Sequence, residues 1–376
     1  MKKIMFMIES MIVGGAEKAL INIVNNLDKN KYDVTVISMY KNSVYDGYNY
    51  NFKELFNENI HVKYLIDNSK QFRYKVFNFL YNKLPKKWFY KFFIKEDYDI
   101  EIATYEGFPT TFLSNSINRK SKKIAWLHTN SNNAFGNLDK ENLNKVGLEY
   151  EKFDKIVGVS KSVVDSFNNI FNMDIKTEVQ YNILDENEII RKSKENISEI
   201  KVTTDFKMVT VGRLIPVKGY DRLLRCIKKL KDDGLNFQLW IIGDGDERVN
   251  LKNYIKNNKL EDYVKLLGFQ DNPYKFIRQS DLFVCSSIAE GFSTVATEAV
   301  ILEKPIITTD CSGMKELFGE YKCGIITNND DESLYKGLKE VLENKEMINV
   351  FIENSKKRKI FFNKITRVEE LEELLG

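Results

Sequence analysis

Residues 207–231, KMVTVGRLIPVKGYDRLLRCIKKLK, hold the reading that decides the fold. Lys207 to Val211 is a short, mostly apolar run rich in β-branched residues. Gly212 to Gly219 is a loop with two glycines, a proline and two cations, and from Asp221 to Lys231 the apolar residues recur at helical spacing. A strand that passes through such a loop into a helix is the first half of a strand–helix–strand unit, whose strands run parallel.

The unit repeats along the chain in both directions. Downstream, strands are predicted at Gln238 to Ile242, Val264 to Leu267, Leu282 to Cys285, Pro305 to Thr308 and Gly324 to Ile326. Upstream they are predicted at Lys3 to Ile8, Asp33 to Met39, His61 to Leu65, Ile100 to Thr104, Lys123 to Leu127 and Lys155 to Val159, with helices such as Ala16 to Leu27 and Lys161 to Asn169 between them. A chain of 376 residues is too long for one ordinary core and suits two. The expectation is an α/β protein with two Rossmann-like, doubly wound domains. The first covers 1–185 and the second 205–357, joined by the polar segment 186–204, which has little to bury. Ligands of such sheets bind at the carboxyl ends of the strands.

Composition narrows the function classes. Lys and Arg number 57 against 54 Asp and Glu, a net +3, so the chain is no polycation built to wrap nucleic acid. Cys226, Cys285, Cys311 and Cys323 are scattered, and only His61 and His128 could join them, which disfavours a zinc site or a disulfide framework. Glu9 interrupts the apolar start of the chain, and no apolar run reaches the roughly 20 residues that span a bilayer. A cytoplasmic protein, soluble or peripheral on a membrane, is expected.

Four places could carry chemistry. Gly14 and Gly15 follow the first strand and open a helix, so an anion could approach the backbone there; a plain tight turn reads equally well. Arg213 and Lys218 share one loop at a sheet's carboxyl edge, where a fork and a point charge could grip two phosphates, or be solvated surface cations. Glu290 and Glu298 bracket seven residues, with Ser293 an N-cap for a helix that is apolar on all sides. A carboxylate in that helix needs a partner, either a ligand's hydroxyl pair or an internal Arg or Lys. His128 ends a strand of the first half.

One further stretch has a marked composition. From Lys70 to Lys95 there are eight basic residues, ten aromatics and no acidic residue. Helical spacing of Phe72, Val76, Phe79 and Leu80 gives a greasy face beside lysines, which suits an anionic membrane surface as well as a core helix pair with a wet basic side.

Taken together, the pattern resembles the retaining GT-B glycosyltransferases of glycosyltransferase family 4. The likeness runs through Gly-Gly-Ala-Glu at 14–17, His128, Asn182 to Asp185, Val211 to Leu214 with Lys218-Gly219, Gly243-Asp244-Gly245, Leu267-Gly268-Phe269 and the two glutamates. Thr309 to Leu317 looks like the version in bacterial capsule and cell-surface polysaccharide enzymes. The resemblance implies transfer of a sugar from a nucleotide diphosphate, a UDP-sugar favoured, to a glycan, lipid-linked or protein-linked acceptor, with no metal and no cofactor. It implies that Arg213 and Lys218 neutralise the diphosphate, that Glu298 holds the ribose and that Glu290 contacts the donor sugar. Gly291, Phe292, Ser293 and Thr294 would present amides to phosphate or sugar oxygens, and Leu267, Gly268 and Phe269 would border the base near Gly243. Gly14 and Gly15 would admit the diphosphate, His128 would bind a sugar hydroxyl, and a C-terminal helix from about 358 to 376 would rejoin the first domain. Cys285, Ser286 and Ser287 stand where a proline-serine pair is common, which leaves the sugar open. A nucleotide-sugar epimerase or a non-catalytic sugar-binding subunit on the same plan are the alternatives; an NAD-dependent oxidoreductase lacks its glycine fingerprint.

Overall fold

The structure, a computed structural model, describes residues 1–10, 14–41, 52–67, 71–198, 200 and 204–376, without the side chains of Phe52, Gln71, Arg73 and Tyr74. The chain divides into two compact units, 1–183 with 365–376, and 184–364.

The first unit is built on a seven-stranded sheet of β1 (Lys2–Ile8), β2 (Tyr32–Tyr40), β3 (His61–Ile66), β4 (Ile100–Ala103), β5 (Lys122–Leu127), β6 (Lys155–Gly158) and β7 (Lys176–Val179), in the order β3-β2-β1-β4-β5-β6-β7. The second holds six strands, β8 (Lys207–Val211), β9 (Gln238–Ile242), β10 (Val264–Gly268), β11 (Leu282–Cys285), β12 (Ile306–Thr309) and β13 (Gly324–Thr327), in the order β10-β9-β8-β11-β12-β13. All pairings are parallel. Central strands must therefore be buried on both faces, and they read as unbroken apolar runs for that reason. Ile4 to Ile8 is at most 1% exposed along its whole length. In the second unit the helix Tyr220–Asp232 seats Leu223, Leu224, Ile227 and Leu230 in one core with Leu334, Leu338 and Val341 of the helix Asp331–Glu343.

Three elements differ from expectation. Lys-Thr-Glu-Val at 176–179 is too short and polar to announce a strand, yet it closes the edge of the first sheet beside β6. Glu186–Ser193, expected as part of a linker over 186–204, is a helix. Asp185 caps it by accepting from the Glu188 amide at 2.9 Å, and it packs on the helices Tyr274–Gln279 and Thr294–Ile301 of the second unit. Its charged residues face water while Ile189 and Ser193 are buried, a stripe too narrow to stand out in sequence. The chain also returns to the first unit at Ile365 rather than about 358. Residues 359–362 form a 3₁₀ turn within the second unit, where Phe362 is buried with its ring 6.2 Å from that of Phe292. The helix Lys364–Leu375 then buries Leu371, Leu374 and Leu375.

In each sheet the winding reverses once, between β1 and β4 and between β8 and β11. The connections leave a crevice at the carboxyl ends of those strands, where open α/β sheets bind ligands.

Candidate functional site

At the β8/β11 reversal the two following loops bring Lys218 and Glu290 together. The Lys218 Nζ lies 2.7 Å from Glu290 Oε1, with the side chains 23% and 12% exposed. Ser287 Oγ donates to the same Oε1 at 2.6 Å. Burial pulls the Lys218 ammonium towards neutrality, but the charge and hydrogen bond of Glu290 outweigh it and hold its pKa above the ordinary lysine value. The lysine is therefore charged at neutral pH.

The loops meet because little separates their backbones. Ile288 N donates to Val217 O at 2.8 Å, Ser286 Oγ to Lys218 O at 2.9 Å, and the buried Arg222 donates through Nε to Ser286 O at 2.9 Å. Gly219 has φ +63°, and a Cβ there would stand 2.2 Å from Ser286 O. The β9 loop closes in likewise: Gly243 has φ +138°, and a Cβ would stand 1.9 Å from Gly212 O. Gly243 N donates in turn to Gly268 O at 2.8 Å. Only glycine supplies both the backbone conformation and the clearance. The loops of β8, β9 and β10 are thus fixed side by side, with Arg213 exposed, Leu267 and Gly268 half-buried and Phe269 40% exposed among them.

Beside Glu290 begins the helix Thr294–Ile301, whose Ser293 hydroxyl accepts from the Ala296 amide at 3.4 Å, as an N-cap should. Phe292 and Ser293 are buried, while Gly291 and Thr294 are half-buried at the helix mouth. Glu298, 1% exposed, receives the Tyr274 hydroxyl at 3.1 Å. That hydroxyl comes from another helix, Tyr274–Gln279. A charged lysine, an exposed guanidinium and a helix N-terminus converging on one sheet edge make a site for an anion with more than one acidic group. No cluster of three or more metal-ligating side chains occurs among the described residues.

In the first unit, Gly14 caps the helix Gly15–Asn26 with φ −128°, an extended conformation open to any residue. His128 stands one residue beyond β5. Burial pushes its pKa down to about 4, against a hydrogen bond with the Thr104 backbone, so the imidazole is neutral above pH 5. Its immediate neighbour is a residue that sequence reasoning missed. Glu106 Oε1 accepts from His128 N at 2.9 Å and from Thr129 N at 2.8 Å. Burial pushes the Glu106 pKa up to about 7, with those backbone donors partly opposing. The signal was available: Thr-Tyr-Glu at 104–106 directly follows β4 at the reversal point. Glu9, just past β1, is also raised by burial, and its amide donates to the Tyr105 hydroxyl at 3.2 Å.

Of the basic aromatic segment, Lys70 lies outside the described residues; Gln71–Lys83 and Lys86–Phe93 are helices, joined at Leu84 and Pro85. Among the described residues no helix is long and apolar enough to cross a membrane.

Comparison with known proteins bears on the second unit first. Residues 192–358 match the family described as glycosyl transferases group 1. The N-acetylgalactosamine-N,N'-diacetylbacillosaminyl-diphospho-undecaprenol 4-alpha-N-acetylgalactosaminyltransferase of Campylobacter jejuni is 34% identical over 61% of this chain and 62% of its own length. The chain thus spans less than two thirds of that relative. An uncharacterized glycosyltransferase of Haemophilus influenzae is 28% identical over 92% of each chain. Among solved structures, Anabaena Alr3699/HepE in complex with UDP and glucose superposes with a TM-score of 0.77, at 20% identity over 100% of this chain and 99% of that one. The two parallel sheets of seven and six strands are those of the GT-B fold.

Proposed function

We propose that this protein is a retaining, metal-independent glycosyltransferase that moves a sugar from a nucleoside diphosphate, UDP favoured, to a glycan or lipid-linked acceptor in cell-surface polysaccharide or glycoconjugate synthesis. The observation that carries the proposal is the Lys218–Glu290 pair at the β8/β11 reversal, beside the N-terminus of the helix Thr294–Ile301. The names of the relatives favour the acceptor class: the Campylobacter protein is named for a diphospho-undecaprenol acceptor, and an Escherichia coli relative for O-antigen biosynthesis.

In this reading the donor's diphosphate takes Lys218 from Glu290 and engages Arg213, while the half-buried Gly291 and Thr294 offer backbone amides at the helix mouth. Glu290, released, faces the sugar hydroxyls, and Glu298 receives the ribose beside Tyr274. As the bond from the anomeric carbon to phosphate breaks, its electron pair goes to the diphosphate. Fixed positive charge stabilises that developing anion more than the intact donor, which accelerates the step. The acceptor hydroxyl attacks from the face the diphosphate leaves and gives its proton to a phosphate oxygen, so configuration is retained. His128, uncharged, donates or accepts a hydrogen bond at a sugar hydroxyl.

The test is release of nucleoside diphosphate from a panel of nucleotide sugars, with chelator present and the product's anomeric configuration read by NMR. Arg213→Ala, Lys218→Ala and Glu290→Ala should each lower turnover on the order of a hundredfold or more, about 3 kcal/mol, without unfolding the chain. Near-normal turnover in all three, or failure of the protein to bind any nucleoside diphosphate, refutes the assignment.

A further inference from the structure

The helix pair Gln71–Lys83 and Lys86–Phe93 is apolar on two sides. Phe77, Tyr81, Phe89 and Tyr90 turn inward and are buried, with the Phe77 and Tyr81 rings stacked at 5.6 Å and Phe89 edge-on to Phe77 at 5.6 Å. That side is the core pair the sequence allowed. The other side is not covered: Phe72 is 79% exposed, Phe92 68%, Phe79 64% and Trp88 56%. Phe72, Trp88 and Phe92, with Leu80 and Leu84, border an open groove of about 530 Å³ that Leu65 and Ile66 also line. Single exposed apolar side chains are ordinary, but a contiguous patch of large ones marks a surface that meets something apolar.

Charge says what that something is. Lys75, Lys83, Lys87 and Lys91 are exposed on the same two helices, and among the described residues none of them is in an ion pair. Lys95 lies 5.4 Å over the Phe92 ring, its stem along the aromatic patch. The carboxylate on the groove, Asp67, has Lys41 at 3.6 Å. A second copy of the chain packed on this face by a twofold axis would set lysines against lysines. A sheet of anionic headgroups over hydrocarbon meets both demands, with aromatics entering the headgroup boundary and lysines on the phosphates.

We propose that the helix pair docks the protein on an anionic membrane surface, with Phe79, Trp88 and Phe92 inserted and Lys75, Lys83, Lys87 and Lys91 against the headgroups. The proposal stands on this face alone and does not need the donor site. If the acceptor is lipid-linked, docking also brings the enzyme to the plane where that acceptor lies.

The chain reports its own docking. Its three tryptophans are Trp88, Trp126 and Trp240, and the last two are 2% and 0% exposed, so a change in emission on adding lipid belongs to Trp88. The full chain is mixed with vesicles of phosphatidylcholine, or of phosphatidylcholine and phosphatidylglycerol in equal parts, and followed by sedimentation and fluorescence. Expected are co-sedimentation and a blue shift with the anionic vesicles only, both weakened by salt. The Lys87→Gln/Lys91→Gln double variant should partition on the order of thirtyfold less, about fivefold per lysine. Trp88→Phe should sediment and lose the shift. Equal binding to both vesicle types, or no binding by protein that still binds nucleotide, overturns the proposal. A lipid-free blue shift that grows with protein concentration and tracks a dimer also overturns it, in favour of a second copy. Turnover without vesicles should be unchanged in the lysine variant; absence of turnover in the unaltered chain would refute the donor-site reading and leave this one.

Discussion

Glu106 and His128 are adjacent groups moved in opposite senses by the same burial, and pH separates them. Folded Glu106 titrates at about 7 against an ordinary 4.5, so between those values the folded state holds a proton that the unfolded chain has lost. Its contribution to stability therefore falls as pH rises from 4.5 to 7. Folded His128 titrates at about 4 against an ordinary 6.5, so the unfolded chain holds the extra proton, and stability falls as pH drops from 6.5 to 4. Between 4.5 and 6.5 the two slopes, about 1.4 kcal/mol per pH unit each, cancel. Glu106→Gln keeps an oxygen for both backbone donors, and its stability relative to the parent should climb from pH 4.5 to 7. His128→Gln should gain on the parent as pH falls from 6.5 to 4. Urea midpoints at four pH values check both, and a flat difference curve for either removes that residue's assigned shift.

At the scale of elements, the loops at the second sheet's carboxyl edge depend on close backbone approach. Gly243→Ala should cost several kcal/mol, because its Cβ would meet a carbonyl 1.9 Å away in a β-strand loop that cannot retreat. Gly234, at φ +78° with nothing within 4 Å of a Cβ, is the control: Gly234→Ala should cost only the left-handed penalty of about 1–2 kcal/mol. Equal losses in denaturant unfolding would mean that crowding at Gly243 is relieved by loop movement. The same contrast shows what could be read in advance. Buried parallel strands announce themselves as apolar runs, so Lys207–Val211, Gln238–Ile242 and Leu282–Cys285 were legible to the residue. Ser293 was legible as a cap, because its hydroxyl acts on the adjacent turn. Lys176–Val179 and Glu186–Ser193 were not, since a polar edge strand and a helix with one buried stripe owe their form to distant neighbours. The partner of Glu298 escaped for the same reason: Tyr274 is 24 residues away and nothing local points to it. Glu106 escaped because a single acid after a strand looks like any loop residue until its carboxylate is seen under two backbone amides.

On the whole-molecule scale, the first unit is completed by residues 365–376. Lys155 Nζ donates to Leu374 O at 3.2 Å and Gln180 Nε2 to Arg367 O at 3.0 Å, while Leu371, Leu374 and Leu375 fill its core. Ending the chain at Lys364 should lower the melting of the first unit by 10 °C or more, on the order of several kcal/mol for three buried leucines, and leave the second nearly unchanged. Calorimetry with nucleoside diphosphate as a marker of the second unit would tell the transitions apart, and an unaltered first transition would refute the tie. The arrangement also sets an order of events during synthesis. The segment made first waits, with one flank of its core open to water, until residues 365–376 leave the ribosome, whereas the segment 184–364 has all its parts before that moment. The half begun earlier is the half finished later, and a chaperone that shields nascent chains would find its client in the amino-terminal portion.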